Sequence, residues 1–307
     1  MGRLRLPPGK KVAVNMGVDW DAQSLWLGAF NFPSPAYMAR GEFGSEVGMP
    51  RLLELYDKFS IKTTFFTPGH TIDTWPDIAK EVLERGHEMA HHGYYHENPT
   101  KIERDTEERL IELALETFDR VLGMRPRGYR SPYWDYSDST LGLVEKHGFE
   151  YDSSLMARDL VPYRPRRWQI NWESASQKGK ASKVLEIPTS WYLDDFPPLA
   201  YVTGIQPGQQ DTETAFRRWK DIFDYAYERV EGACYSHAVH PQIIGQAHHI
   251  MMYERLLDYI ASKDGAWFCT AVEICEAWED DDEDRRLMEM EDLEYGYAGA
   301  PVGSGFR

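Results

Sequence analysis

Cys234, Cys269 and Cys275 are all the thiol this chain has. An odd set without a C-x-x-C pair offers neither a disulfide framework nor a thiolate metal cluster. Cys234 and Cys269 sit inside apolar segments, so they read as small, reduced core residues. Long hydrophobic runs are missing too: nothing reaches bilayer-spanning length, and the start, Met-Gly-Arg-Leu-Arg-Leu-Pro-Pro-Gly-Lys-Lys, lacks the apolar core of a secretory signal. Leu6 stands where N-myristoylation needs Ser or Thr. These absences lead to the expectation of a cytoplasmic chain with no membrane partner. Positive charge is also scarce. Lys and Arg number 34 against 50 Asp and Glu, a formal net charge of −16, which repels nucleic acid, anionic membrane and polyanionic substrates over most approaches.

What is present is an even spread of apolar residues over 307 positions, enough for one domain with a large core. The expected layout is an arm at 1–11, a single body at 12–278 with an insertion at about 160–211, and an acidic tail at 279–307. Within the body one grammar repeats. A helical stretch from Thr74 to Arg85 is closed by Gly86 and followed by a strand ending at His91. Leu141 to His147 with Gly148, and Tyr253 to Lys263 with Gly265, do the same. Glycine past the last turn supplies a left-handed cap at no steric cost. Thr100-Lys-Ile-Glu103 reads as a capping box opening a helix that runs to Leu122. Strands alternating with helices imply βαβ units, and the strand count predicts an α/β fold, a distorted (β/α) barrel of roughly seven parallel strands. Gln23 to Gly44 is aromatic, with Trp26, Phe30, Phe32, Tyr37 and Phe43 in no helical or strand period, and is expected to be a long loop, either a binding lid or a plug at the barrel mouth. Regular structure is expected to end near Trp278, and the run Glu279 to Asp284 to be solvated.

The chemistry gathers around Val14-Asn-Met-Gly-Val-Asp19-Trp-Asp21 and His91-His92-Gly-Tyr-Tyr-His96. The first is an apolar strand whose end delivers carboxylates at alternate positions, on one face. One Asp with two His makes a three-ligand set, which leaves a coordination position for water. Read singly, an Asp pair also marks a turn and two histidines four apart also occur in solvated loops. Arg130-Ser-Pro-Tyr133 and Ser236-His-Ala-Val-His240-Pro follow further predicted strands, however, and in a barrel those ends converge on one mouth.

In that order, Val-Asp19-Trp-Asp21, His92-Gly-Tyr-Tyr-His96, Arg130-Ser-Pro-Tyr133 and Val239-His240-Pro resemble the motifs of the polysaccharide deacetylase superfamily with its NodB homology domain, across most of residues 12–278. Gly44-Ser-Glu-Val-Gly48, Pro68-Gly-His70, His96-Glu-Asn-Pro99, Tyr151-Asp-Ser-Ser-Leu155 and Trp191-Tyr-Leu-Asp-Asp-Phe-Pro-Pro198 are similar to the branch holding a Helicobacter-type peptidoglycan deacetylase, cyclic imide hydrolases and cofactor-free allantoinases. The resemblance implies that Asp21, His92 and His96 bind a divalent metal, zinc in this reading. It implies that Asp19 is the catalytic base, Arg130 its ion partner and His240 the general acid, with a backbone N–H near Tyr133 holding an oxyanion. Glu46 and Trp191, within the branch features, are candidates for substrate contact. Two departures stand out. Ile187, not Asp, lies four residues before Trp191, which leaves His240 without an assigned partner, and His91 and His237 add imidazoles beside the expected ones. The loop spacing of the family favours His92 and His96.

The implied activity is hydrolysis of non-peptide C–N bonds by metal-activated water. An aromatic loop, a Trp- and Pro-rich insertion and no secretion signal favour small linear or cyclic amides and imides. The alternative is an N-acetyl sugar in polysaccharide or peptidoglycan, and a third reading is a catalytically silent binding barrel. The family's habit and the apolar insertion lead to the expectation of a homo-oligomer, dimer or tetramer.

Overall fold

A computed structural model describes residues 2–291 and the backbone of the short strand Tyr297–Ala298. Its organising feature is a parallel sheet. The strands are β1 (Val12–Asp19), β2 (Thr64–Thr67), β3 (Glu88–His91), β4 (Gly128–Tyr129), β5 (Tyr151–Asp152), β6 (Leu185–Glu186), β7 (Ala233–Val239) and β8 (Ala266–Phe268). Spatial order is β7-β1-β2-β3-β4-β5-β6, with β8 beside the start of β1. The sheet is curled, a distorted (β/α) barrel as expected. β6 and β7 do not pair; one bridge, Asp194 to Ala238, links the segment after β6 to β7.

Two-residue periodicity divides each strand between two environments. In β1 the even positions Val12, Val14, Met16 and Val18, with Trp20 beyond, belong to the large cluster under the helices. Ala13 packs on the inner side with Phe66, Ala90, Tyr151 and Cys234. Asn15 shares that face and donates to the Cys269 carbonyl at 3.0 Å. All eight β1 residues are buried, as a parallel strand covered on both faces requires. The outer layer consists of α1 (Pro35–Phe43), α2 (Met49–Lys58), α3 (Pro76–Glu84), α4 (Arg104–Thr117), α5 (Thr140–Lys146), α6 (Thr212–Arg229) and α7 (Ala247–Ala261), with shorter turns between. The cysteines are free, with Cys234 and Cys269 buried. Among the described residues no helix is long and apolar enough to cross a membrane.

Four sequence expectations need correction. The aromatic stretch 23–44 is not a structureless loop: it forms a π-helical turn, Leu25–Ala29, and then α1, whose first position is Pro35, pre-set for a helix start. Its rings stack on one another, Trp26 on Phe30 at 5.6 Å and Phe30 on Phe196 at 6.2 Å, so tertiary contact organises a segment that has no period of its own. Thr100 opens no capping box. Asn98 accepts its backbone N–H at 2.9 Å and caps a 3-10 turn, Pro99–Lys101, after which α4 starts at Arg104. Regular structure also continues past Trp278. Trp278–Glu279 pairs antiparallel with Arg3–Leu4, tying both ends of the body together. Finally the acidic run is not merely solvated, because Asp281 caps a helix, Asp282–Met288, whose first turn carries three acids at the positive end of the dipole. The Gly-rich end of the tail lies outside the described residues. The insertion adds an antiparallel hairpin, Arg166–Asn171 with Gln177–Ala181, outside the main sheet.

His237 shows what strand parity decides. It follows Tyr235 on the helix side of β7 and meets the Trp219 ring edge-on at 4.6 Å, with both ring nitrogens buried and lacking hydrogen-bond partners among the described residues. Burial pushes its pKa down to about 3. Because the folded value lies below the unfolded one, near 6.5, the neutral ring's contribution is complete above about pH 6.5 and is lost as pH falls toward 3. His237→Phe is therefore expected to lose about 2 kcal/mol less stability than wild type between pH 7 and pH 5 in urea unfolding; parallel losses would show that the ring is not held neutral.

Candidate active site

The register of the sheet brings the candidate residues to one level. Asp19 pairs with Phe66, His91 with Thr67 and Tyr129, Tyr129 with Asp152, and Val18 with Val239. The residues at or just beyond these positions are Asp19, His92, Arg130, Ser153 and His240, all at C-terminal strand ends. Parity turns Asp19 inward, and Asp21, two further on, returns to the same side. Trp20 between them points away and donates to Ser45 Oγ at 3.0 Å.

Asp21, His92 and His96 form one group whose ligand atoms lie within 4.8 Å of one another, all buried. Asp21 Oδ1 is 3.5 Å from His92 Nε2, and Oδ2 is 3.7 Å from His96 Nε2. The donor set fits a metal ion. Both Asp21 oxygens are buried without a hydrogen-bond donor among the described residues, a costly state for a carboxylate unless a cation is shared with it. His92 donates from Nδ1 to the Arg130 carbonyl at 2.8 Å, leaving the Nε2 lone pair toward Asp21. Burial holds the His92 pKa down to about 4 and drives that of His96 well below its ordinary value, so both rings are neutral, as metal ligands must be. Burial, with help from Asp19, Asp194 and Asp195, pushes the Asp21 carboxyl well up in the metal-free chain.

Two charge pairs flank this group. Asp19 Oδ1 accepts a hydrogen bond from Arg130 Nη1. Burial alone would raise the Asp19 pKa, but the Arg130 charge, His92, His240 and the Arg130 hydrogen bond together outweigh it, and the carboxyl is held below its usual range. Arg130 is itself fully buried and is fixed by Ser153, donating from Nε to its carbonyl and from Nη2 to its hydroxyl, each at 2.8 Å. On the other side His240 Nδ1 donates to Asp195 Oδ1 at 2.7 Å, with Asp194 Oδ1 at 3.5 Å, and the His240 backbone N–H also reaches Asp195 at 3.0 Å. Burial opposes a charge on the ring, yet Asp194 and Asp195 overcome it and its pKa is raised well above 6.5. His240 Nε2 then faces Asp21 at 3.6 Å.

A cavity of about 160 Å³ opens above these groups, walled by Leu25, Ala29, Phe30, Tyr133, Trp134, Trp191 and Phe196. Trp191 stacks on Trp134 at 4.7 Å and is 44% exposed, at the mouth. The Tyr133 hydroxyl donates to the Ala29 carbonyl, tying the aromatic turn to the Arg130 loop. Tyr133 itself has φ +63°, and its backbone N–H has no acceptor among the described residues. Glu46 is exposed and does not line the cavity, so it is the one candidate that the fold leaves away from the rest. His91 faces the opposite side from His92, with Nε2 against the Ile111 carbonyl at 3.3 Å. The residue that sequence reasoning missed is Asp195. It stands four positions after Trp191 rather than four before, within the Asp194-Asp195 pair that the sequence displayed without a role.

Taken together, a curled parallel sheet whose strand ends gather an Asp-His-His group that could hold a metal ion, between an ionised carboxylate and a carboxylate-backed imidazole, has the parts of a metal-dependent barrel hydrolase. The sequence pattern described as polysaccharide deacetylase matches residues 42–151. A peptidoglycan deacetylase of Helicobacter pylori is 34% identical over 281 residues, 87% of this chain and 96% of that one. The crystal structure of a chain assigned as a polysaccharide deacetylase from Mycobacterium smegmatis superposes with a TM-score of 0.80 at 27% identity, covering 96% of this chain and 98% of that one. Puue allantoinase shares the fold, with a TM-score of 0.73 at 23% identity over 89% of this chain and 91% of its own. The chain belongs to the polysaccharide deacetylase family, hydrolases of C–N bonds other than peptide bonds.

Asp195→Asn removes one of the two negative charges, with that of Asp194, that sustain the His240 imidazolium. The His240 pKa should fall in a histidine NMR titration, and the alkaline limb of the pH–rate profile should move down with it. A His240 titration unchanged in the variant would mean that Asp194 alone sustains the charge.

Proposed function

We propose that this chain deacetylates N-acetylglucosamine units of a peptidoglycan-type polymer. The observation that carries the reaction is the opposite tuning of two groups on either side of one candidate metal set: Asp19 held ionised by Arg130, and His240 held protonated by Asp194 and Asp195. Pairs of groups pushed apart in this way divide the base and acid roles. The peptidoglycan deacetylase relative, similar over nearly its whole length, supports the choice of substrate.

A divalent ion held by Asp21, His92 and His96, zinc in this reading, supplies Lewis acidity that makes water acidic near neutral pH and polarises a carbonyl. The chain's own residues do the rest. Asp19 accepts the proton of the attacking water, and Arg130 keeps it ionised until then. The free Tyr133 N–H, preset by the left-handed backbone at that residue, meets the oxyanion. His240 donates its proton to the departing sugar nitrogen, which cannot leave as an amide anion. The exposed Trp191 face, backed by Trp134, offers an apolar plane for a sugar ring at the cavity mouth.

A second reading, hydrolysis of a small linear or cyclic amide or imide, draws on one observation. The cavity, about 160 Å³ beneath the turn Leu25–Ala29, holds the volume of only about five waters. An acetyl group fits within it, and so does a five-membered imide ring. The two readings separate in one assay: acetate release from an N-acetylglucosamine oligomer, beside ring opening of succinimide or hydantoin, each with and without chelator. Chelator-sensitive acetate release upholds the proposal, whereas ring opening alone replaces it with the second reading.

The residue roles make a separate prediction. Asp21→Asn and His92→Ala should lose bound metal and turnover together. Asp19→Asn should retain stoichiometric metal by elemental analysis while turnover falls about 10²–10⁴-fold. An Asp19→Asn variant with most of its activity intact would assign the base elsewhere.

A further inference from the structure

The motif Tyr151-Asp-Ser-Ser-Leu155 and the segment Val184-Leu-Glu-Ile187 each carry an acid that the catalytic reading leaves without a role. In the sheet register Asp152 of β5 pairs with Glu186 of β6, so the two side chains leave the same face of neighbouring strands. Both residues are fully buried. Asp152 Oδ2, Glu186 Oε2 and the Tyr136 hydroxyl are buried with no hydrogen-bond partner among the described residues, although the three groups act on one another. Burial raises the pKa of both carboxyls, and the Asp152 charge helps to drive that of Glu186 well above the usual range. Two carboxylates side by side in a dry site do not both stay ionised. A single proton on Glu186 Oε2, donated to Asp152 Oδ2, satisfies both orphan oxygens at once.

What the two acids hold is one peptide unit. The N–H of Ser154 donates to Glu186 Oε1 at 2.8 Å, as does the N–H of Leu155. The carbonyl of the same peptide, that of Ser153, accepts from Arg130 Nε at 2.8 Å. Beside it, the Ser131 N–H donates to Ser154 Oγ at 2.8 Å, and Ser154 Oγ donates to Asp152 Oδ1 at 2.7 Å. Glu186 thus fixes one end of a peptide whose other end fixes the guanidinium, while Asp152 anchors the residue that follows Arg130 in the chain. Neither acid lines the catalytic cavity.

We propose that Asp152 and Glu186 share one proton and serve as positioning residues, locking the Ser153–Ser154 peptide and with it the guanidinium of Arg130. Protonated Glu186 keeps Oε1 as an acceptor for two backbone N–H groups, and its O–H satisfies Asp152 without adding a second charge. The other titratable groups that face the pair are Tyr129 of β4, Tyr136 beyond it and Tyr163 of the insertion, phenols that burial pushes up and keeps neutral. Arg130 is committed to Asp19 and Ser153. The catalytic consequence rests on the roles proposed above for Arg130 and Asp19, whereas the shared proton and the fixing of Arg130 are measured without substrate.

Stability against pH reads the proton. Because the Glu186 value is raised in the folded chain, its contribution is complete below the unfolded value, about 4.3, and is lost as pH rises toward the folded one. Glu186→Gln supplies the same acceptor and a donor with no proton to hold. The ratio of unfolding constants in urea, wild type to variant, is expected to grow about tenfold per pH unit above about pH 5. A ratio independent of pH overturns the shared proton. Positioning is read at the Arg130 Nε–H signal in proton–nitrogen spectra, assigned by its loss in Arg130→Lys. Glu186→Met fills the volume but accepts neither N–H. It should speed solvent exchange of that signal about tenfold and lower kcat on an N-acetylglucosamine oligomer about 10–100-fold, with KM within about twofold, while Glu186→Gln restores both. If Glu186→Met does not fold, Ser154→Ala removes only the hydroxyl link and should move both readouts less far in the same direction. A variant that loses stability while Arg130 exchange and kcat stay as in wild type overturns the positioning role. No turnover by the wild type, with linkage and exchange as expected, upholds the fixing of Arg130 and removes the deacetylation reading alone.

Discussion

The buried guanidinium of Arg130 is the constraint on which the site depends. It bonds to Asp19 at the end of β1, takes both its other contacts from Ser153 beyond β5, and lies with its charge 3.7 Å from the Phe66 ring centroid in β2. Its own carbonyl accepts the Nδ1–H of His92 beyond β3. One side chain and its backbone thus set the relative positions of groups from five strands. Stranding such a charge by removing its partner is costly, roughly 3–5 kcal/mol, so the pair holds the protonation state of Asp19 and the geometry around it together. The attraction is useful because it is dry: the same pair in water would be worth about 1 kcal/mol or less.

Around that fixed pair the backbone adopts conformations that side chains resist. Ala22, His96, Tyr133 and Trp134 all have positive φ, and all four adjoin the site. Each costs of order 1–3 kcal/mol and persists only where the surroundings over-determine it. The over-determination is visible. A Cβ on Gly28 would sit 2.0 Å from the Tyr95 carbonyl, so the aromatic turn presses directly on the His92–His96 loop, and Tyr133 latches the same turn from the other side. The cavity is small because these three loops hold one another.

Much of this was legible in the sequence for a simple reason. Strand ends in a parallel sheet are set by local hydrophobic pattern, and the chemistry sits at the strand ends, so Asp19, Asp21, His92, His96, Arg130 and His240 stood next to recognisable apolar runs. Parity along β7 even separates His237 from His240, which lie three apart and therefore face opposite sides. Asp195 was hidden because it reaches His240 across the seam between β6 and β7, where no strand pairing signals proximity. The helix in the acidic tail and the turn at Leu25–Ala29 were hidden for a related reason: both are held by partners distant in sequence, Gly2 for Asp284 and Phe196 for Phe30.

The sequence by itself determined the class of sheet, the family, and which residue types would meet at its mouth, because alternation and motif order are local properties. Only the tertiary structure decided which carboxylate stands behind His240, that Glu46 stays in solvent, and how little room remains above the Asp21-His92-His96 group. Those are distances between segments far apart in the chain, settled by how strands curl and loops pack rather than by any pattern within one of them.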